Sequence, residues 1–362
     1  MKIGIEATTM LTTPLTGIGN YTWNIILALQ RIKPDIELFL YAPSSLKDSS
    51  LRGLRRAKVR HSKPKFGMSG YFYTKFFLSK LIRKDKLDAF IAPRTLYPYF
   101  IKRTIPVVSI VYDLNIYLCP SMMLRGTRRS YAIWFKSDIL SADRVIVISK
   151  GTSERLKTIV GRDADAIALP AVSDLYRPAD VSTILSIREK YDIRGPYIVF
   201  VGTLEPRKNL TTLIEAHRII NRNRADKISL VLIGKRGWKN RTLTKMLDGG
   251  IPNVLELGYV PESDLPALYS GAEVFVIPSI YEGYGMPAAE ARACGTRIVA
   301  TDIPELREAA GPGATLVPPT VDGLARGIED SLQLPRPLGT RSHSWDDSAQ
   351  VLANVLKDLK RG

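Results

Sequence analysis

Cysteine and histidine are scarce in this chain of 362 residues, and their scarcity narrows the chemistry open to it. Cys119 and Cys294 stand far apart and in no metal-ligand spacing, so neither a disulfide framework nor a zinc site is indicated. The three histidines, His61, His217 and His343, fall in no recognisable motif, and each is expected to be structural or exposed. No apolar run approaches the roughly 20 residues of a membrane-spanning helix. Met1-Lys2-Ile3-Gly4-Ile5 reads as the start of a strand and not as a signal sequence. The expectation is a folded protein of the reducing cytosol with no bound metal or cofactor, and 45% hydrophobic with 24% charged residues suits such a protein.

Acidic residues are short in one half only. The formal charge is +17, and residues 1–172 hold about 28 Lys and Arg against about 12 Asp and Glu, leaving roughly 24 and 23 of the totals 52 and 35 to the remainder. An excess of this kind suits nucleic acid, an anionic membrane surface or an anionic substrate. A nucleic-acid role is disfavoured, because no basic region carries regularly interleaved aromatics and no recognised binding motif occurs.

What the chain does have is alternation. Apolar strands near 2–6, 36–41, 87–91, 106–111 and 143–148 are interleaved with helical stretches near 19–31, 70–84, 121–140 and 150–159, the pattern of a parallel α/β sheet. From Ser173 to Gly195 the pattern lapses, apart from a helical stretch at 181–191. A second series follows, with strands near 197–201, 228–233, 253–257, 273–277, 297–301 and 314–317. The length favours two domains. The expected organisation is an N-terminal domain over 1–172, a connector over 173–195, a second domain over 196–345 and a final helix over 346–362.

Within the second series, Pro278 to Gly295 passes from strand to glycine-broken loop to helix: P-S-I-Y-E-G-Y-G-M-P-A-A-E-A-R-A-C-G. Gly283 and Gly285 let the backbone approach a ligand, Pro287 suits a first helical turn, and the free N–H groups of the helix start would favour an anion. Glu282 and Glu290 bracket that loop. Two bare carboxylates beside an anion site make sense if the anion is flanked by hydroxyls, which is the layout of a nucleotide sugar. The alternative is a loop carboxylate and a solvated helix residue. Gly202-Thr203-Leu204-Glu205-Pro206-Arg207-Lys208 is another strand-end glycine loop, where Arg207 offers a planar fork and Lys208 a mobile charge to a diphosphate. Gly234-Lys235 and Gly258-Tyr259 form two more such loops on the same edge.

These segments, Y-E-G-Y-G-M-P-A-A-E-A-R-A-C-G-T at 281–296, F-V-G-T-L-E-P-R-K-N-L at 200–210 and G-I-G-N-Y-T at 17–22, resemble the retaining glycosyltransferases of family 4. The resemblance covers nearly the whole chain and implies the GT-B fold, two Rossmann-like domains facing each other across a cleft. It implies catalytic roles for Arg207, Lys208, Glu282 and Asp113. Donor binding would fall to Gly17, Gly19, Gly202, Gly234, Lys235, Tyr259, Gly283, Tyr284, Gly285, Met286, Pro287 and Glu290, with Glu282 on the donor sugar, Glu290 on the ribose, and the final helix returning to the first domain. Where many relatives have His-Asp, this chain has Tyr112-Asp113. Tyr112 cannot titrate near neutrality, and it is either a sugar contact or a packed aromatic. Asp113 either contacts sugar or caps the next segment.

The expected reaction moves mannose or a related hexose from a GDP- or UDP-linked donor to a hydroxyl of a lipid-linked or polysaccharide glycan. It would proceed with retention, without a metal, and with no cofactor besides the nucleotide-sugar substrate. A sugar-nucleotide epimerase or hydrolase on the same fold and a basic nucleic-acid-binding protein are the alternatives. The run Leu51 to Lys65 packs seven Lys and Arg, and Tyr71 to Lys84 reads as an aromatic and basic helix. These segments predict docking on the inner face of an anionic membrane, with Arg52, Arg55, Arg56 and Lys58 as a membrane or acceptor patch.

Overall fold

A computed structural model of the chain describes residues 1–12, 15–46, 53–61, 70–101, 104–222, 224–238 and 240–359. Arg52, Lys63 and Lys65 of the basic run therefore lie outside the described residues. The chain forms two compact units, Met1–Ala171 with His343–Gly362, and Val172–Ser342.

The first unit is built on seven strands: β1 (Lys2–Glu6), β2 (Glu37–Ala42), β3 (Ala57–His61), β4 (Ala89–Ala92), β5 (Val107–Val111), β6 (Arg144–Val147) and β7 (Ala166–Ile167). All pair in parallel in the order β3-β2-β1-β4-β5-β6-β7. Strands β4 and β5 are buried along their whole length, as continuous apolar runs covered by helices on both faces must be. The helix Trp345–Asp358 returns to this unit, opened by the Ser344 and Asp347 capping box, and packs on the helix Gly17–Ile32.

The basic run differs from its expected form. Ala57–His61 is an edge strand, with Lys58 paired to Glu37 at 3.4 Å, Arg56 to Asp35 at 3.8 Å and Arg60 to the buried Asp85 at 2.7 Å. Lysine on an edge strand discourages pairing with other chains, so a stretch with a single valine can still be a strand. The stretch near 70–84 also differs. It is helical over Gly70–Phe72 and Leu78–Ile82, with a wider π turn at Tyr73–Phe77 between them. Its Lys75, expected on a basic face, is 1% exposed and paired with Asp138.

The second unit has six parallel strands: β8 (Tyr197–Val201), β9 (Ser229–Ile233), β10 (Val254–Gly258), β11 (Val274–Ile277), β12 (Arg297–Thr301) and β13 (Thr315–Val317), ordered β10-β9-β8-β11-β12-β13. The segment expected as a connector folds with this unit. Its helix Val181–Lys190 packs on the helix Leu265–Gly271, and the Ala179 N–H donates to Ser270. In both sheets the order reverses once, between β1 and β4 and between β8 and β11, and such a switch point is where open α/β sheets leave a crevice beyond the strand ends.

Candidate active site

The loops after β8 and β11 meet because those strands are neighbours at the switch point, with Val274 beside Ile198. The Ile280 N–H donates to the Arg207 carbonyl at 3.0 Å, tying one loop to the other. The Arg207 guanidinium then spans three acceptors: Glu282 Oε2 at 2.7 Å, the Tyr281 carbonyl at 2.6 Å and Glu205 Oε1 at 2.7 Å. The Lys208 ammonium donates to Glu282 Oε1. Lys208, Glu282 and Glu205 are each less than a tenth exposed. Burial alone would raise the Glu282 carboxyl, but Arg207 and Lys208 outweigh it and hold it down at about 2. Burial pushes the Lys208 ammonium down, opposed by Glu282. Arg207, Lys208 and Glu282, singled out separately in the sequence, are thus one buried ionic cluster. Glu205 joins it, and only its place in the quoted loop could have signalled that.

Beyond Glu282 the chain turns into the helix Met286–Ala293. Gly285 stands before it at φ 105°, and a Cβ there would lie 2.5 Å from the Leu306 side chain, so only glycine fits. Pro287 occupies the first turn and has no N–H, which leaves the Met286 amide as the first donor of the helix. Gly283 and Met286 are half-buried, while Tyr284 is 3% exposed and its phenol is pushed up to about 12 by burial.

Glu290 lies one turn into that helix and engages a different partner. Tyr269, fully buried and edge-on to Phe275, donates to Glu290 Oε2 at 2.9 Å. Burial raises the Glu290 carboxyl to about 7, against the Tyr269 hydrogen bond, and Glu262 adds to the rise. Nothing in the sequence marked Tyr269, since it reaches Glu290 from the separate helix Leu265–Gly271.

The glycine loops line up along the same edge. The Gly202 N–H donates to the Ile233 carbonyl and the Gly234 N–H to the Gly258 carbonyl. Gly234, at φ 138°, approaches so closely that a Cβ would sit 2.1 Å from the Gly202 oxygen. Lys235 Nζ lies 5.4 Å from the ring centre of Tyr259, which is 56% exposed. A cation and a ring therefore stand accessible at the β9–β10 end of the edge.

Gly17, Gly19 and Asp113 belong to the first unit. The two glycines lie inside the helix Gly17–Ile32, not in the loop ahead of it, and Thr16 caps the start by accepting from the Gly19 N–H. A Cβ on Gly19 would meet the Thr9 carbonyl at 2.5 Å, so close packing explains it, whereas Gly17 faces open space. Asp113 accepts the Asn115 N–H at 3.0 Å, an Asx turn one residue ahead of the N-cap, Leu114, of the short helix Asn115–Leu118. Tyr112 is 8% exposed, edge-on to Tyr21 at 5.1 Å and 3.4 Å from the Thr22 hydroxyl, and burial pushes its phenol up.

Residues 181–350 match the family described as Glycosyl transferases group 1. The chain is 29% identical to the O-antigen chain mannosyltransferase B of Escherichia coli, over 99% of this chain and 100% of that one. It is 23% identical to the O-antigen chain mannosyltransferase RfbU of Salmonella typhimurium, over 69% of each. In fold it is similar to WaaG, a glycosyltransferase involved in lipopolysaccharide biosynthesis, with a TM-score of 0.70 at 13% identity over 100% of both chains. The sucrose-phosphate synthase of Thermosynechococcus elongatus also gives 0.70, at 18% identity over 99% of this chain and 97% of that one. Two doubly wound sheets, a group 1 match across the unit that holds the ionic cluster, and a relative aligned end to end agree: the chain has the GT-B fold, and over residues 181–350 it is similar to the glycosyl transferases of group 1.

Proposed function

We propose that the protein transfers a hexose, mannose by analogy with its full-length relative, from a nucleotide-diphosphate donor to a hydroxyl of a lipid-linked or polysaccharide glycan, with retention and without a metal. The buried cluster of Arg207, Lys208 and Glu282 at the switch point carries this reading. The barrier to glycosyl transfer lies in departure of the diphosphate from an oxocarbenium-like centre. Fixed cations beside a helix start lower it by stabilising charge as it develops, and they need no reorganisation at the moment of reaction. An ammonium has three donors and Glu282 takes one from Lys208, so two can serve a phosphate. Glu282, ionised at any working pH, accepts from sugar hydroxyls while holding both cations in place. Glu290 accepts from the ribose diol.

These cations take the part that a metal plays elsewhere. The Asp163-Ala164-Asp165 triplet is already engaged: Asp163 pairs with Lys157, and Asp165 with Arg162 and the Val145 N–H. An epimerase would need groups at the transferred sugar that titrate close to neutrality, and Glu282, the carboxylate assigned to that sugar, is held at about 2. Peripheral attachment to the inner face of an anionic membrane completes the reading, since a lipid-linked acceptor is held there.

The test is a panel of GDP- and UDP-hexoses with and without a glycan acceptor. GDP-mannose should be consumed only when acceptor is present, with chelator added, and the product anomer should match the donor. Free hexose or an altered nucleotide sugar formed without acceptor would overturn the assignment.

A further inference from the structure

The first unit turns part of its aromatic content outward. In the segment around the π turn, Tyr73, Leu78 and Ile82 enter the core, and Lys75 is buried with Asp138 beneath the rings of Tyr97 and Trp134. Phe72 and Phe76 point away from that core, 45% and 42% exposed, with their rings 4.6 Å apart. Trp134, from the helix Arg125–Ser141, meets Phe76 edge-on at 6.5 Å. Tyr99 and Phe100 adjoin them, 60% and 46% exposed and held there by the Tyr99 N–H donating to the Lys75 carbonyl at 3.0 Å. Ile133, on the same helix as Trp134, is 65% exposed. Contiguous exposed rings of this kind mark an interaction surface.

The exposed charge carried by these two segments is of one sign. Lys80, Arg83, Lys84 and Lys86 are exposed on one segment, and Arg125, Arg128, Arg129 and Lys136 on the other. The carboxylates within 70–86 and 125–141 are Asp85 and Asp138, and both are buried and paired, with Arg60 and Lys75. A cavity of about 330 Å³ opens beside Phe100, walled by Ile82, Leu87, Ile101 and Ile105, with Arg83 and Lys86 on its lining. Apolar walls joined to two cations suit a hydrocarbon chain attached to a phosphate.

We propose that this face, and not the basic run ahead of it, docks the protein on an anionic lipid bilayer. The rings enter the boundary between headgroups and chains, and the surrounding Lys and Arg lie against lipid phosphates. Arg56, Lys58 and Arg60 of the run have carboxylate partners of their own chain, while the outward cations of this face share their two segments, 70–86 and 125–141, with no exposed carboxylate. Each basic residue held near such a surface strengthens partition about fivefold. This inference rests on the membrane attachment proposed above and says which surface makes it.

Sedimentation of the full chain with phosphatidylcholine vesicles, with and without phosphatidylglycerol, tests it. Wild type should pellet only with the anionic vesicles and be released by salt. Phe72→Ser with Phe76→Ser should weaken binding about tenfold or more, and Lys80→Ser with Arg83→Ser and Lys136→Ser should do the same if the phenylalanine variant folds poorly. Arg55→Ser with Arg56→Ser and Lys58→Ser should bind within about twofold of wild type. The Trp134 emission should shift to the blue on anionic vesicles, and the part of the shift lost in Trp134→Phe identifies it. Absence of wild-type binding would overturn membrane attachment and this surface together. Wild-type binding that both face variants retain, or that the Arg55 variant loses, would overturn this surface while leaving attachment standing.

Discussion

The two sheets reverse strand order in the same way, yet their switch points are finished differently. In the first unit, Glu6 closes β1 and Arg94 follows β4, and the pair locks at the switch point through two hydrogen bonds of 2.9 Å. Glu6 is fully buried and Arg94 is 9% exposed, with Thr74 and the Tyr71 ring completing the guanidinium's surroundings. In the second unit the same place holds two adjacent cations, a carboxylate shared between them, a glycine loop and a helix start. One crevice is sealed by matched charge; the other gathers two cations on a single carboxylate, the cluster proposed above to receive the donor. Sheet order supplies the same place in both units, and the side chains that follow the two inner strands give it a different character, a matched ion pair in one and a cation-rich cluster in the other.

The largest effect that could break the comparison is on turnover. Lys208→Ala should lower kcat by roughly 10²–10³, the cost of one preorganised donor in such a site. The fold should persist, because Arg207 still pairs with Glu282. Steady-state kinetics beside a thermal melt would check this, and near-normal kcat in a folded variant would remove the diphosphate role. Arg207→Ala should behave likewise, with Lys208 left to hold Glu282.

The counterpart in the first unit should cost stability instead. Arg94→Met leaves the Glu6 carboxylate buried without its cation, a change that typically costs about 3–5 kcal/mol. Pairing it with Glu6→Leu should restore most of that loss, since an apolar pair of similar volume removes the stranded charge. Urea unfolding of both variants sharpens the contrast. Unchanged stability with lost turnover in Arg94→Met would place the first switch point in the chemistry as well.

Much of this contrast was legible only in part. Strands such as Tyr197–Val201 and Val274–Ile277 announce themselves, because a parallel strand covered on both faces must be a continuous apolar run. Ala57–His61 does not, since an edge strand is exempt from that demand and its cations look like those of a loop. The π turn at Tyr73–Phe77 leaves no trace in a side-chain pattern that suits an unbroken helix. In the site, Arg207, Lys208 and Glu282 could be named one by one from glycine loops and charge. Their union needed the pairing of β8 with β11, which brings together residues 75 apart in sequence. Partners from other elements, such as Tyr269 for Glu290 and Asp138 for Lys75, are facts of packing that no local motif encodes.

The smallest effect concerns Glu290, a carboxyl that burial lifts to about 7. Glu282 stays ionised through the physiological range at about 2, while burial lifts Glu290 to about 7. The groups around it are Tyr269, which donates to it, Tyr176 and Glu262, and the Cys294 thiol, itself pushed up to about 12 by burial and by Glu290. A carboxyl whose folded value lies above its unfolded one weakens folding as pH rises from about 4.5 to about 7, and a ligand that donates hydrogen bonds to its ionised form gains over that same rise. Nucleoside-diphosphate affinity should therefore increase severalfold between about pH 6 and about pH 8, since a unit of pKa corresponds to about 1.4 kcal/mol between the two forms. Tyr269→Phe removes the hydrogen bond that favours the ionised carboxylate, so the midpoint should move to higher pH while affinity at the alkaline end recovers. Glu290→Gln should flatten the profile, leaving only the titration of the nucleotide phosphate. Calorimetry across that range distinguishes the outcomes: a profile in Glu290→Gln that still follows wild type would show the pH dependence to belong to the nucleotide alone, and Glu290 would then be a helix residue that does not touch the ribose.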